Sequence, residues 1–202
     1  MMRSLRPGVL RRKTARNRKK DENMDMKKDG LLMPPDGCIY LRPMTEADTE
    51  NIVAWRNKDR VRRNFIYQKP FTKEGHLNWL HTQVELGYAV QFVICEKDAA
   101  RPVGSVYLRD IDRKMRHAEY GIFIGEDDAV GKGYGTRAAG LILAFAFEEL
   151  GLEKVFLRVF EDNAGARKSY EKAGFFLNRD RREEVTTDEG RRTVVFYETE
   201  SR

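Results

Sequence analysis

The chain has 202 residues, 41% hydrophobic and 35% charged, which is enough to bury one core and short for two. No apolar run approaches the roughly 20 residues that cross a bilayer. The two cysteines, Cys38 and Cys95, and the three histidines, His76, His81 and His117, form neither a disulfide framework nor a metal-ligand spacing, so buried free thiols and no structural metal are expected.

The formal net charge of +6 belongs to the N-terminus, because residues 1–20 hold nine Lys or Arg and no acid, leaving −3 for the remainder. Residues 1–36 therefore read as a basic, disordered extension. It could touch nucleic acid, resemble an organelle transit peptide, or be a solvated run ahead of a start at Met24 or Met26.

Pro34-Pro35-Asp36-Gly37 is a linker and turn, and one domain is expected over residues 37–202. A first strand covers residues 38–42. Thr45 with Asp48 three residues on starts a helix that Ile52, Val53 and Trp55 carry to Asn57. A second helical piece covers 59–65. Thr72 caps a third, with Leu77, Leu80 and Val84 at helical spacing and Gly87 stopping it. Strands at 88–96, 102–110 and 115–125 make an antiparallel meander. An apolar helix over 138–150, a strand at 155–160, a helix at 164–173 and strands near 175–181 and 192–200 complete the order, with a turn at Gly190.

Gly131-Lys132-Gly133-Tyr134-Gly135-Thr136 sits between the apolar run 122–124 and the apolar helix. Glycines at every second position let backbone N–H groups converge at the positive end of the helix, which suits a phosphate. The nucleotide-triphosphate loop fails on spacing, since five residues separate Gly125 from Gly131 and Gly133 follows Lys132. The dinucleotide fingerprint fails because its third glycine would fall at Thr136. What remains is an anion site of another kind, or a turn that only caps a helix.

Downstream, Asn163, Ala164, Ala166, Tyr170, Gly174 and Phe175 fit the pattern Asn-Ala-x-Ala-x-x-x-Tyr-x-x-x-Gly-Phe. With the glycine loop, this resembles the GNAT superfamily of acyl-CoA-dependent N-acetyltransferases over roughly residues 38–200. Gly133 and Gly135 match the family's acyl-CoA signature, and Val130 departs from the Gln or Arg that opens it. The resemblance implies an α/β (α+β) fold: a mixed, mostly antiparallel central sheet splayed after its fourth strand and flanked by helices. It implies acetyl-CoA as co-substrate, its pantetheine amides on the backbone of Ile122, Phe123 and Ile124. The diphosphate would rest on N–H groups from Gly131, Lys132, Gly133, Tyr134, Gly135 and Thr136. The Lys132 side chain reads equally as solvated. Asn163 would hydrogen-bond the CoA arm, a duty compatible with capping the last helix.

By the same resemblance Tyr170 is the general acid that protonates the departing thiolate, or a ring that packs on the cofactor. Glu119 is the first choice of general base; alternation puts it on one strand face with His117, Gly121 and Phe123, and its competing reading is a surface glutamate. The N-terminal half resembles the subgroup acting on ribosomal-protein N-termini, with relatives acting on nucleotide-linked amino sugars and polyamines. Arg56, Arg60, Arg62 and Arg63 oppose a polycationic acceptor and suit an acidic one, or form a solvated face. The expectation is a cytoplasmic enzyme moving acetyl from acetyl-CoA to a primary amine of a small molecule or protein N-terminus, without membrane contact. Exposed edge strands suit a homodimer. The alternative is a catalytically weak acyl-CoA-binding regulatory or RNA-associated module.

Overall fold

The computed structural model describes residues 30–33 and 37–201. The basic run and the Pro34-Pro35-Asp36 linker lie outside the described residues. Seven strands form one sheet: β1 (Ile39–Pro43), β2 (Val90–Glu96), β3 (Pro102–Asp112), β4 (His117–Ile124), β5 (Lys154–Phe160), β6 (Phe176–Thr187) and β7 (Gly190–Glu200). Their spatial order is β1-β2-β3-β4-β5-β7-β6. Every neighbouring pair is antiparallel except β4 and β5. That parallel step needs a crossover, supplied by helix α4 (Tyr134–Ala144) and its continuation Phe145–Glu149.

Strand alternation divides the core between the two faces of the sheet. On one face Ala138, Ile142 and Ala146 of the crossover pack with Val106, Leu108, Ala118, Tyr120, Val155 and Leu157. On the other, Ile52 and Trp55 of α1 (Thr49–Asn57), Val61 of α2 (Asp59–Arg62) and Leu80, just past α3 (Lys73–Trp79), cover Val93, Cys95 and Phe123. The last helix, α5 (Ala164–Lys172), follows β5.

Some elements depart from expectation. Leu32 is buried and exchanges two 2.9 Å backbone hydrogen bonds with Leu41, so the fold reaches back past residue 37. Cys95 is buried as expected, but Cys38 is exposed at the bend before β1, and both thiols are free. Strand β6 runs on to Thr187 through a stretch of charged residues, paired with β7 across a register shift between Asn178 and Arg182. It is an edge strand exposed along most of its length, so it lacks the alternation that marks a strand in sequence.

His81 and Glu85, four residues apart, meet Glu46, which brings three potential ligand atoms within 4.8 Å of one another. The histidine was expected to have no carboxylate grouping; the i, i+4 spacing carried one. Its Nε2 lies 2.8 Å from Glu46, and that hydrogen bond raises its pKa above 6.5. A raised folded-state pKa contributes stability that is fully present below the ordinary histidine value and is lost as pH rises through the raised one. His81→Gln should therefore melt below the parent at about pH 5.5 and with it at about pH 9 in thermal unfolding scans.

Candidate active site

Strands β4 and β5 pair only at His117↔Lys154, Ala118↔Val155 and Glu119↔Phe156, then part. The parity of the ladder follows from two bonds, Gly125 N to Val103 O (2.8 Å) and Lys154 N to Arg116 O (3.1 Å). It turns the backbone groups of Ile122 and Ile124 into the gap and those of Phe123 toward Ser105 on β3. Of the three residues expected to offer backbone, Phe123 instead contributes its ring to the far wall. The Ile124 carbonyl already accepts from Arg60 Nη1 at 3.1 Å.

The glycine loop closes one end of the gap. Gly131 and Gly133 have φ of +80° and +78°, a conformation side chains resist, with open space around both. Gly133 directly precedes α4, whose first N–H groups lack intrahelical partners. Thr136 Oγ1 is 2.9 Å from Ser169 Oγ, which ties the loop to α5. Lys132 lies 3.5 Å from Glu96, and the Tyr134 hydroxyl donates to the same carboxylate at 3.0 Å. Part of the loop's positive charge is thus already balanced.

From the loop a cavity of ≈ 960 Å³ runs through the gap to α1 and the segment around α3. Tyr170 lines it, its ring edge-on to Tyr120 at 5.9 Å and to Phe175 at 6.1 Å. Its hydroxyl has no hydrogen-bond partner among the described residues, and burial holds its pKa well above 10. Asn163 caps α5 by accepting from Ala166 N (3.1 Å) and donates to Asn64 Oδ1 (3.0 Å), joining α5 to the loop after α2.

Glu119 is buried on the same face as Gly121 and Phe123, and is the one carboxylate among the described cavity-lining residues. Arg109 Nη2 reaches its Oε1 at 2.8 Å, and Arg158 donates to Oε1 at 3.1 Å and Oε2 at 3.3 Å. His117 packs on Phe156 outside the cavity lining.

The Trp55-Arg56-Asn57 triplet shapes the opposite wall. The Trp55 indole donates to Glu126 at 2.7 Å, and Asn57 brackets the Phe71 backbone with two 2.8 Å hydrogen bonds. The four arginines that looked alike in sequence separate here. Arg60 binds the Ile124 and Gly125 carbonyls and Asp127, Arg62 pairs with Asp59, and Arg63 is exposed. Arg56 alone is buried, its guanidinium 3.2 Å from the Phe65 ring centre. His76, set aside as metal-free, lies buried in this wall with Nδ1 3.0 Å from Thr49 Oγ1. Arg158 also escaped the sequence reading, because only the fold brings it to Glu119.

A parallel strand pair that opens beside a glycine loop at a helix N-terminus, over a cavity with its own second wall, defines an acyl-CoA-dependent transferase. Residues 39–176 match the family described as Acetyltransferase (GNAT) domain, and the chain belongs to that family of acetyl-CoA-dependent N-acetyltransferases. Spermidine N(1)-acetyltransferase of Escherichia coli K12 is 32% identical over 148 residues, 71% of this chain and 75% of that protein. The uncharacterized protein MJ1062 of Methanocaldococcus jannaschii is 31% identical over 69% of this chain, which spans 28% of that protein's length. The crystal structure of spermidine N-acetyltransferase from Vibrio cholerae with CoA and spermine superposes with a TM-score of 0.74 at 21% identity, covering 81% of this chain and 95% of that one. No helix among the described residues is long and apolar enough to cross a membrane.

Proposed function

We propose that this chain transfers the acetyl group of acetyl-CoA directly to a primary amine of a small molecule or a protein N-terminus. The observation that carries this reading is the opened β4–β5 pair above the Gly131–Thr136 loop, with Tyr170 at its wall. The gap-facing C=O of Ile122 and N–H of Ile124 suit an extended chain of amides, and the α4 N-terminus suits a diphosphate.

The amine nitrogen attacks the thioester carbonyl, a C–N bond forms and the C–S bond breaks. The backbone N–H of Ile122 faces the gap, where it can donate to the developing oxyanion. Glu119 takes a hydrogen bond from the incoming ammonium, and water carries that proton away. Tyr170 donates toward the departing sulfur. The acceptor classes open to this arrangement are N-terminal peptides, amino sugars and polyamines, the last being what the named E. coli and V. cholerae relatives acetylate. Self-association belongs to the same reading, since a V. cholerae relative is described as dodecameric and β6 leaves an exposed edge here.

The test is titration of acetyl-CoA into the protein, followed by a thiol-release screen over those three acceptor classes. Binding followed by amine-dependent CoA release is the expected result. Binding with no release from any amine would favour the regulatory module, and no binding would remove the transferase reading.

A further inference from the structure

A buried polar atom without a hydrogen-bond partner is costly, and native structures keep few of them. Among the described residues four side chains carry one: Arg56 at Nη1, His76 at Nε2, Arg109 at Nε and Tyr120 at its hydroxyl. All four line the cavity. Tyr120 stands in the gap beside Tyr170, and Arg109 is committed to Glu119 and Asp110. Arg56 and His76 lie together on the acceptor side with Phe71 between them. The Phe71 ring centre is 5.2 Å from the Arg56 guanidinium carbon and 5.9 Å from the His76 ring.

Arg56 is 9% exposed and has neither an ion pair nor a side-chain hydrogen bond among the described residues. Burial pushes its pKa down to about 10, which leaves it charged at neutral pH. A desolvated cation held on the Phe65 face needs a counter-charge from somewhere. The described lining does not supply it: among the described residues it holds one carboxylate, Glu119, already taken by Arg109 and Arg158. Burial also lowers the pKa of His76, so its ring is neutral there. Its Nδ1 lies 3.0 Å from Thr49 Oγ1, and its Nε2 is the second unpartnered polar atom of this wall among the described residues.

We propose that the acceptor amine bears an anionic oxygen group, a carboxylate or a phosphate, that seats on Arg56. This rests on the transferase reading and narrows its substrate. Arg56 lies 6.0 Å from the centre of the Phe123 ring. Phe123 directly follows Ile122 in β4, whose N–H faces the thioester carbonyl in the reading above, so the anion sits a few bonds from the reacting nitrogen. A polyamine would bring a second ammonium against Arg56 in a low-dielectric site, where like charges repel strongly. On this point the chain parts from the relatives named for spermidine.

The test pairs amines that differ only in the anionic group. Glucosamine 6-phosphate is set against glucosamine, and alanine and methionine against their α-amides, with spermidine as the cationic arm. Each is assayed on the wild type, Arg56→Met and Arg56→Lys. The expected result is a preference for the anionic member that falls ~10- to 100-fold in Arg56→Met, through KM, and is partly restored in Arg56→Lys. Which pair shows it tells phosphate from carboxylate. Equal rates within pairs, or spermidine used best with no effect of Arg56→Met, overturn the proposal and leave the transferase standing. Should no amine turn over, thermal shifts with inorganic phosphate and with acetate decide. A rise in the wild type that Arg56→Met lacks supports the site, and equal rises in both overturn it. Acetyl-CoA titration of each variant reports folding and cofactor binding separately.

Discussion

Tyr170→Phe is expected to lower kcat by about 100-fold while acetyl-CoA affinity stays within about threefold. The phenol ring is packed against Tyr120, Phe175 and Tyr197, and phenylalanine fills the same volume. Its hydroxyl has no partner to lose in the free protein, so thermal unfolding should hardly move. What disappears is one donor aimed at the gap. Burial has lifted the phenol well above 10, whereas a thiol titrates near ~8.5. Full proton transfer to the leaving thiolate is therefore uphill. The hydroxyl acts by donating a hydrogen bond as charge grows on sulfur, which places the loss nearer ~10² than ~10⁴. The same displacement predicts that the alkaline limb of a kcat profile does not report Tyr170 below about pH 10. Steady-state rates of the wild type and Tyr170→Phe with the best acceptor check this. A kcat within twofold of wild type would reduce Tyr170 to packing and pass its duty to Tyr120, whose hydroxyl is buried, unpartnered and adjacent.

How much of this was readable in advance depends on whether a residue's role is local. The glycine loop was legible because φ near +80° at Gly131 and Gly133 is a demand that one residue type meets. The element order was legible because β2 to β5 are half-buried or fully buried runs with ordinary turn chemistry between them. Strand β6 was cut short because an edge exposed along most of its length carries no alternation. The arginines mark the deeper limit. Arg56 and Arg60 are four residues apart on two successive helices, and nothing local tells a guanidinium stacked on Phe65 from one anchored on Asp127. That difference is made by β4, about 65 residues away in the chain, which presents Phe123 to one and Ile124 and Gly125 to the other. Glu119 shows the same limit. Its strand face was correctly inferred, but its Arg158 partner arrives only through the β4–β5 pairing.

Gly125→Ala should be strongly destabilising for a single methyl, at about 3 kcal/mol, or a melting temperature lower by roughly 6–12 °C. A Cβ on Gly125 would lie 2.1 Å from the Trp55 ring, and the ring has little room to retreat. Its indole nitrogen is held by Glu126 at 2.7 Å, and its body is buried against Phe123 at 6.4 Å. The Gly125 carbonyl also receives Lys58 Nζ at 2.9 Å and Arg60 Nη2 at 3.2 Å, so the strand end cannot shift without loosening α1 and α2. The damage should be confined to the acceptor wall. Acceptor KM rises, while acetyl-CoA binding, built on the gap and on the loop from Gly131, is retained. Gly140→Ala is the control: it sits exposed in α4 with open space around it, and the helix should gain up to about 1 kcal/mol. Thermal unfolding of both variants and of Gly125→Ala combined with Trp55→Leu measures the clash directly. A double variant more stable than the sum of its parts would locate the strain between these two residues, whereas strict additivity would place it elsewhere in the β4 turn.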